Sequence, residues 1–206
     1  MIKNTALFLL MLLCCTMLFS LGSEAIYQKM NSAYNKISSF QADLKQENYF
    51  AQIKKSISYT GNIHFTRGRM VIKFSKPNVQ HLMISEGVVN LYDAPSKTVF
   101  RSRIRPEFNK MNPVEILQHY WKKSTVTVLS NKGGFAEVSL KPFDDPQIKN
   151  LSASINLKTG LVHTLSYTDA NENKVSYKFS SIKTNAQIPA SVWKFTYPKD
   201  VQVVEQ

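Results

Sequence analysis

The sequence predicts a mainly β protein, in which a meandering antiparallel sheet curls toward a barrel and short helices cover one of its faces. Three observations predict this fold class. Apolar and polar residues alternate with period two over several short segments, and turn-forming residues separate these segments. Two apolar stripes at helical spacing stand apart from the alternating segments, one before them and one midway along the chain. A succession of such strands at short intervals favours a curled meander.

The N-terminus is typical of a secretory signal peptide. Lys3 precedes an apolar run at residues 6–19, and small and polar residues follow at 20–25. A charged, then apolar, then small-residue order is the layout of an export signal, and the run is too short to favour a retained membrane anchor. We expect cleavage after Ala25, although cleavage after Gly22 fits nearly as well.

The predicted organisation is a signal peptide at 1–25 followed by one domain at 26–206. Both cysteines, Cys14 and Cys15, fall in the signal, and no internal repeat or linker divides the rest. A lipoprotein signal needs a small residue just before its cysteine, and Cys15 does not have one. The exported domain is therefore expected to lack disulfides and cysteine chemistry, and to carry no lipid of its own.

The formal net charge of the chain is +12. An exported protein meets anionic membrane surfaces and envelope polymers, so we expect no nucleic-acid partner. A solvated outer face of lysines explains the same charge equally well. The composition leaves both interpretations open.

Two amphipathic helices are predicted to form a lid over one face of the sheet. The first is expected to end at Ser38–Ser39. The second begins with an N-cap pattern, in which Asn112 precedes Pro113 and Glu115 lies at the third helical position. The apolar stripe of the first helix consists of Ile26, Met30, Ala33, Tyr34 and Ile37, and that of the second consists of Val114, Ile116, Leu117, Tyr120 and Trp121.

The segment 57–67 carries the clearest strand pattern. Its apolar residues share one face and its polar residues share the other, as in a half-buried antiparallel strand. Similar alternation occurs at 70–74, 161–167 and 175–179, and turn residues occur at 132–134, 158–160 and 169–173. The apolar face is the candidate lining of a ligand cavity, and its residues are Ile57, Tyr59, Ile63, Phe65, Met70, Ile72 and Phe74.

Arg67 is a charged residue with the same parity as the apolar face of this strand. In a regular strand its guanidinium would point inward, where its five donors would need carbonyl or carboxylate partners at the mouth of the cavity. If the strand instead ends at Thr66, Arg67 turns into water together with Arg69. The pattern alone supports both interpretations equally.

No motif of catalysis, metal binding or phosphate binding is present in the sequence. The histidines have no metal-binding spacing, so we expect neither a metal nor another cofactor. Asp144 and Asp145 could form a carboxylate pair, but with Pro142 and Pro146 beside them they favour an exposed loop.

The chain resembles the outer-membrane lipoprotein carrier protein family, LolA, over most of its length after residue 25. No single matching motif is highly specific to this family, but the order and spacing of the motifs together are specific. The matching segments are Ile37–Gln46, Gly61–Arg67 with Lys76–Pro77, Ile84–Gly87 with Leu91–Asp93, and Lys194–Pro198 with Val201.

The resemblance implies an unclosed antiparallel β-barrel with a helical lid, located in the periplasm and without enzymatic activity. It assigns the lid latch to Arg67. It also implies a monomer whose partners are lipoprotein acyl chains, an inner-membrane transporter that releases lipoproteins and an outer-membrane acceptor. The alternatives are a membrane-anchored acceptor of the same fold, a periplasmic lipid- or glycolipid-binding module, and a secreted hydrolase.

Overall fold

A computed structural model describes residues 22–103 and 113–205. Within them the chain forms two α-helices and twelve strands. The helices are α1 (Ser23–Asn35) and α2 (Pro113–Trp121). The strands are β1 (Ser39–Phe50), β2 (Lys55–Thr66), β3 (Arg69–Lys76), β4 (Gln80–Ser85), β5 (Val88–Asp93), β6 (Thr98–Arg103), β7 (Ser124–Lys132), β8 (Phe135–Pro142), β9 (Ile148–Asn156), β10 (Val162–Asp169), β11 (Lys174–Thr184) and β12 (Gln202–Glu205).

All twelve strands belong to one sheet, in the order β12-β6-β5-β4-β3-β2-β1-β11-β10-β9-β8-β7. Neighbouring strands are antiparallel, with the exception of β12, which runs parallel to β6. The edge strands β12 and β7 are not paired with each other, so the sheet is unclosed. This confirms the predicted fold class: a mainly β protein with two helices and one open antiparallel sheet.

The main core lies between the helices and the inner face of the sheet, which is the face that carries the apolar residues of β1, β2 and β8–β11. Aromatic stacking adds to it, since Phe40 of β1 lies on Phe65 of β2 with ring centroids 4.7 Å apart. Burying each large aliphatic side chain contributes about 1.5–3 kcal/mol. The fully buried members include Ile26, Met30, Ile63, Leu117, Leu140, Leu151, Ile155 and Leu165.

Several elements differ in detail from the sequence-based expectation. Helix α1 ends at Asn35 and is followed by Lys36, so Ile37 lies beyond the helix rather than on its stripe. The predicted N-cap Asn112 lies outside the described residues. In β10 a bulge between Val162 and Thr164 shifts the alternation of inward and outward side chains. Val162 is therefore fully buried, although the sequence pattern placed its neighbours on the inward face.

A second, smaller apolar cluster lies on the outer face of the sheet. After β11 the chain crosses this face and returns to the sheet edge as β12. A short 3₁₀ helix at Ala190–Trp193 and the aromatic residues that follow it pack over β3–β5. Beneath them, Val71 and Val99 are fully buried and Tyr92 is 6% exposed, although none of these belongs to the main core.

Neither helix of the described residues combines the length and the apolar character needed to cross a membrane.

Candidate functional site: a cavity between the lid and the sheet

A cavity of about 280 Å³ opens between the two helices and the ends of β2, β3 and β4. Its lining combines apolar and polar groups. The apolar part of the wall consists of Tyr34, Ile37, Phe65, Met70 and Ile84. They are contributed by α1, by the residues just after it and by the inner face of three strands, so the cavity depends on how the helices sit on the sheet.

The mouth of the cavity is polar. Asn35 and Gln118 line it from the helix side, and Glu115 lies near them. Arg67 and Arg69 line it from the opposite side, at the turn between β2 and β3. Charged and amide groups therefore ring an apolar interior, an arrangement that suits a ligand with an apolar body and a polar head.

Helix α1 is held to the sheet through the β9–β10 hairpin. The hydroxyl of Tyr34 accepts a hydrogen bond of 3.2 Å from the backbone N–H of Val162, and burial raises the pKa of this hydroxyl. Gly160 in the hairpin has a φ of +75° and lies against the helix, where a Cβ would come within 2.6 Å of the carbonyl oxygen of Lys29. The hairpin and α1 can approach so closely because this position is glycine.

Helix α2 is held by a hydrogen bond to the loop between β8 and β9. The hydroxyl of Tyr120 donates to Oδ2 of Asp145 at 2.6 Å. The other carboxylate oxygen accepts the backbone N–H groups of Gln147 and Ile148, each at 2.8 Å. Asp145 does lie in a loop, as predicted. Its bond to α2 could not be read from the sequence because Tyr120 and Asp145 are 25 positions apart.

The two helices also contact each other. Nε2 of Gln118 donates to Oδ1 of Asn31 at 3.1 Å, and the rings of Tyr27 and Trp121 lie 5.7 Å apart. The lid is therefore one packed unit. The hydrogen bonds of Tyr34 and Tyr120 anchor it to the β7–β10 half of the sheet, while the cavity opens on the side of β2–β4.

The predicted cavity-lining residues divide into three groups in the structure. Phe65 and Met70 line the cavity. Ile63, Ile72 and Phe74 are buried in the main core, and Tyr59 lies half-buried against Phe74 with ring centroids 5.4 Å apart. Ile57 is 39% exposed and lies outside both the cavity and the core, so its prediction as a lining residue is wrong. It sits near the start of β2, away from the end of that strand where the cavity opens.

The predicted lid residues all belong to the core cluster or pack against it. Ile26, Met30, Val114 and Leu117 are at most 2% exposed and point into the core. Ile116 and Tyr120 are half-buried beside them, and Tyr34 and Ile37 line the cavity.

Arg67 lies at the cavity mouth but not on a strand. Strand β2 ends at Thr66, and Arg67 and Gly68 form the turn to β3. The parity argument therefore does not apply to Arg67, which is exposed to solvent. Among residues 22–103 and 113–205 it makes no hydrogen bond or ion pair. Its role as a lid latch stays a prediction.

No metal site is assembled in the part of the chain that the structure describes. There, no three histidine, cysteine, aspartate or glutamate side chains come together as metal ligands would. The polar side chains that line the cavity are Asn35, Thr66, Arg67, Arg69, Glu115 and Gln118. The arrangement can bind and enclose a ligand.

The unclosed sheet with a helical lid defines the class of this protein as a half-barrel. Residues 35–196 match the family described as outer membrane lipoprotein carrier protein LolA, and the chain belongs to this family.

Relatives of this family are similar in sequence, and a solved structure is similar in fold. The chain is similar to the outer-membrane lipoprotein carrier protein of Ralstonia nicotianae, with 28% identity over 152 residues that cover 71% of this chain and 69% of the relative. It is 26% identical to that of Cupriavidus pinatubonensis over 159 residues, covering 75% of this chain and 74% of the relative. An uncharacterized conserved protein from Thermus thermophilus superposes with a TM-score of 0.58 at 12% identity, covering 89% of this chain and 98% of that one. At such identity this likeness shows the fold alone.

Proposed function

We propose that the protein is a periplasmic carrier that encloses the acyl chains of lipoproteins released from the inner membrane and delivers them to an acceptor at the outer membrane. The observation that carries the proposal is the cavity between lid and sheet, one wall of which is apolar, in a chain that belongs to the lipoprotein carrier family. The relatives named above support it, since each is described as an outer-membrane lipoprotein carrier protein.

The physical need for a carrier follows from the hydration of acyl chains. Each methylene exposed to water costs about 0.8 kcal/mol, so a sixteen-carbon chain costs on the order of 12 kcal/mol. An acylated protein therefore crosses an aqueous compartment very rarely unless its chains are covered. A cavity with an apolar wall and a polar mouth supplies that cover and leaves the protein part of the cargo outside.

The lid must move to accept such cargo. The cavity of about 280 Å³ is at the lower limit of the roughly 300–1,000 Å³ that small-molecule sites occupy, which is too small for several acyl chains. Tyr34 and Tyr120 anchor the lid on the β7–β10 half, so we expect the helices to separate from the β2–β4 side, where Phe65 and Met70 form the wall.

In this proposal Arg67 controls the separation. It lines the same cavity as Gln118 and Asn35 of the lid. A guanidinium that bonds to the lid only when the lid is closed would stabilise the empty form and thereby favour release of the cargo. Binding and release are then a shift between an open, loaded population and a closed, empty one.

The test is the release of an acylated lipoprotein from liposomes that contain the inner-membrane transporter. We expect the purified protein to form a soluble, one-to-one complex with the acylated lipoprotein. The matched control is the same lipoprotein with its acylated cysteine replaced by serine, which should not be bound. Equal binding of both forms would contradict the proposal. Preferential recovery of free phospholipid or glycolipid instead would favour a general lipid-binding module.

A further inference from the structure

We propose that the C-terminal segment, residues 185–205, is a pH-responsive cover on the outer face of the sheet, packed on neutral His81 and released when His81 and its neighbour His64 on the same face take up protons. The proposal concerns the face opposite the cavity, so it is independent of the proposed function.

The C-terminal segment lies on the outer face through contacts at its start, its middle and its end. At its start, Oγ of Ser39 donates to the carbonyl oxygen of Ala186 at 2.6 Å. Further along, the guanidinium carbon of Arg69 lies 4.6 Å from the ring centroid of Trp193. At its end, β12 pairs with β6 and all four of its residues are exposed. Such a segment can leave the sheet without disturbing the main core.

The centre of the C-terminal segment is an aromatic cluster built on His81. The ring of Phe195 lies 4.2 Å from the ring of His81, and Tyr92 lies 5.2 Å from Phe195. Tyr197 continues the cluster at 4.9 Å from Phe195. Because Phe195 packs directly on the imidazole, the charge of His81 bears directly on the stability of this contact.

The two histidines flank one lysine. Lys73 of β3 is directly opposite His81 of β4, and it is the diagonal neighbour of His64 of β2, which pairs with Val71. The Nδ1 atoms of both histidines, and Oδ1 of Asn62, are buried and have no hydrogen-bond partner in the described residues. A proton added to either ring would place a second positive charge beside Lys73 in a partly buried site.

The direction of the pH dependence follows from this environment. Burial, and then the charge of Lys73, lower the pKa of both His64 and His81 below the ordinary value of 6.5. Release exposes the rings to water and relieves the effect of burial, while Lys73 stays beside them on β3, so the covered form binds fewer protons than the released form. Covering is fully favourable above about pH 6.5 and weakens as the pH falls through the lowered pKa values.

Other charged groups also lie on this face or in the segment that covers it. They include Arg69, Arg101, Lys194 and, on β1, Asp43. The segment's ion pairs, Lys97–Asp200 and Arg101–Glu205, are exposed and contribute little. The histidines are therefore the groups that sense a change between neutral and mildly acidic conditions.

Fluorescence of Trp193 tests the proposal directly. The chain has two tryptophans, so a Trp121→Phe protein reports on Trp193 alone. Between about pH 7.5 and about pH 5, the range in which histidine titrates, we expect acrylamide quenching of Trp193 to rise toward that of free tryptophan with a midpoint below 6.5. Far-UV circular dichroism should show the rest of the sheet, β1–β11, intact throughout. Quenching that does not change with pH would overturn the proposal.

Variants identify the groups responsible. His64→Gln with His81→Gln should abolish the transition, while His163→Gln should leave it unchanged. His163 is the matched control because burial also lowers its pKa, but it packs on Phe135 far from the C-terminal segment. If the double variant fails to fold, His81→Phe keeps the ring on Phe195 and should weaken the transition. A transition that survives the loss of His64 and His81, or that disappears with His163→Gln, would contradict the proposal.

Discussion

The bond between Tyr120 and Asp145 makes the attachment of the lid measurable. Tyr120→Phe removes the hydroxyl that donates to Asp145 at 2.6 Å and leaves the ring in place. A hydrogen bond to a charged group contributes about 1.5–3 kcal/mol to stability. Because Asp145 is partly exposed, we expect Tyr120→Phe to lower the free energy of unfolding by less than this, by about 1 kcal/mol. For a chain of this size that corresponds to a Tm lower by about 2–4 °C.

The loss should depend on pH. Burial raises the pKa of Asp145, but the hydrogen bond from Tyr120 and those from the N–H groups of Ile148 and Gln147 outweigh it, so the pKa lies below the ordinary 3.8. A carboxylate whose pKa is lowered by folding stabilises the fold at pH values above its ordinary pKa. This contribution disappears as the pH falls through the lowered pKa. The difference between wild type and Tyr120→Phe should be complete near about pH 7 and shrink below about pH 4.

Thermal unfolding followed by circular dichroism measures both effects. Tyr49→Phe is the matched control, because Tyr49 is 37% exposed and its hydroxyl makes no hydrogen bond among the described residues; the Tm of this variant should not change. A double-mutant cycle with Asp145→Ala isolates the pair. The reasoning is refuted if Tyr120→Phe is as stable as Tyr49→Phe, or if it loses as much stability in the Asp145→Ala background as in wild type.

Three further perturbations address the rest of the lid and the cavity. Gly160→Ala would force a positive φ on alanine and bring its Cβ within 2.6 Å of the Lys29 carbonyl oxygen. Urea titrations should therefore show a loss of stability of about 2 kcal/mol or more. A variant as stable as wild type would contradict the close approach of α1. Ile63→Ala should lower the stability by about 2–5 kcal/mol, because Ile63 is fully buried. Ile57→Ala should lower it by well under about 1 kcal/mol, because Ile57 is 39% exposed. Similar losses in the two variants would contradict the assigned burial. Arg67→Leu should fold, load cargo from donor membranes at least as well as wild type and deliver it poorly in a two-step transfer assay. Delivery at the wild-type rate would make Arg67 an ordinary surface residue.

Local patterns predicted the elements of the fold well. The alternating segment 57–67 lies largely in β2. Pro113 is the first residue of α2, a position that its fixed φ favours. The bulge at Val162 was not predictable, because it follows from how β10 meets β9 rather than from the residues of β10 themselves. The passage of the C-terminal segment across the outer face was missed for the same reason, since its contacts with β3–β5 join distant parts of the sequence.

The site was predicted less completely. The alternation showed that Phe65 and Met70 face inward, but it could not show where the helices stop covering the sheet, which decides that Ile57 is exposed. The parity of Arg67 was misleading because the strand ends one residue earlier, at a turn that Gly68 completes. Period-two alternation holds only inside a strand. The direction of a side chain at a strand end therefore cannot be predicted until the position of the turn is known.

Site-specific photocrosslinking tests the central claim, that acyl chains occupy the cavity under the lid, most directly. p-Benzoylphenylalanine placed at Phe65, on the cavity wall, should crosslink to an acylated lipoprotein and not to its non-acylated form. The same probe at Leu129, which is 64% exposed on the edge strand β7, should crosslink to neither. Crosslinks from Phe65 to the non-acylated form, or equal crosslinks from Phe65 and Leu129, would contradict the claim.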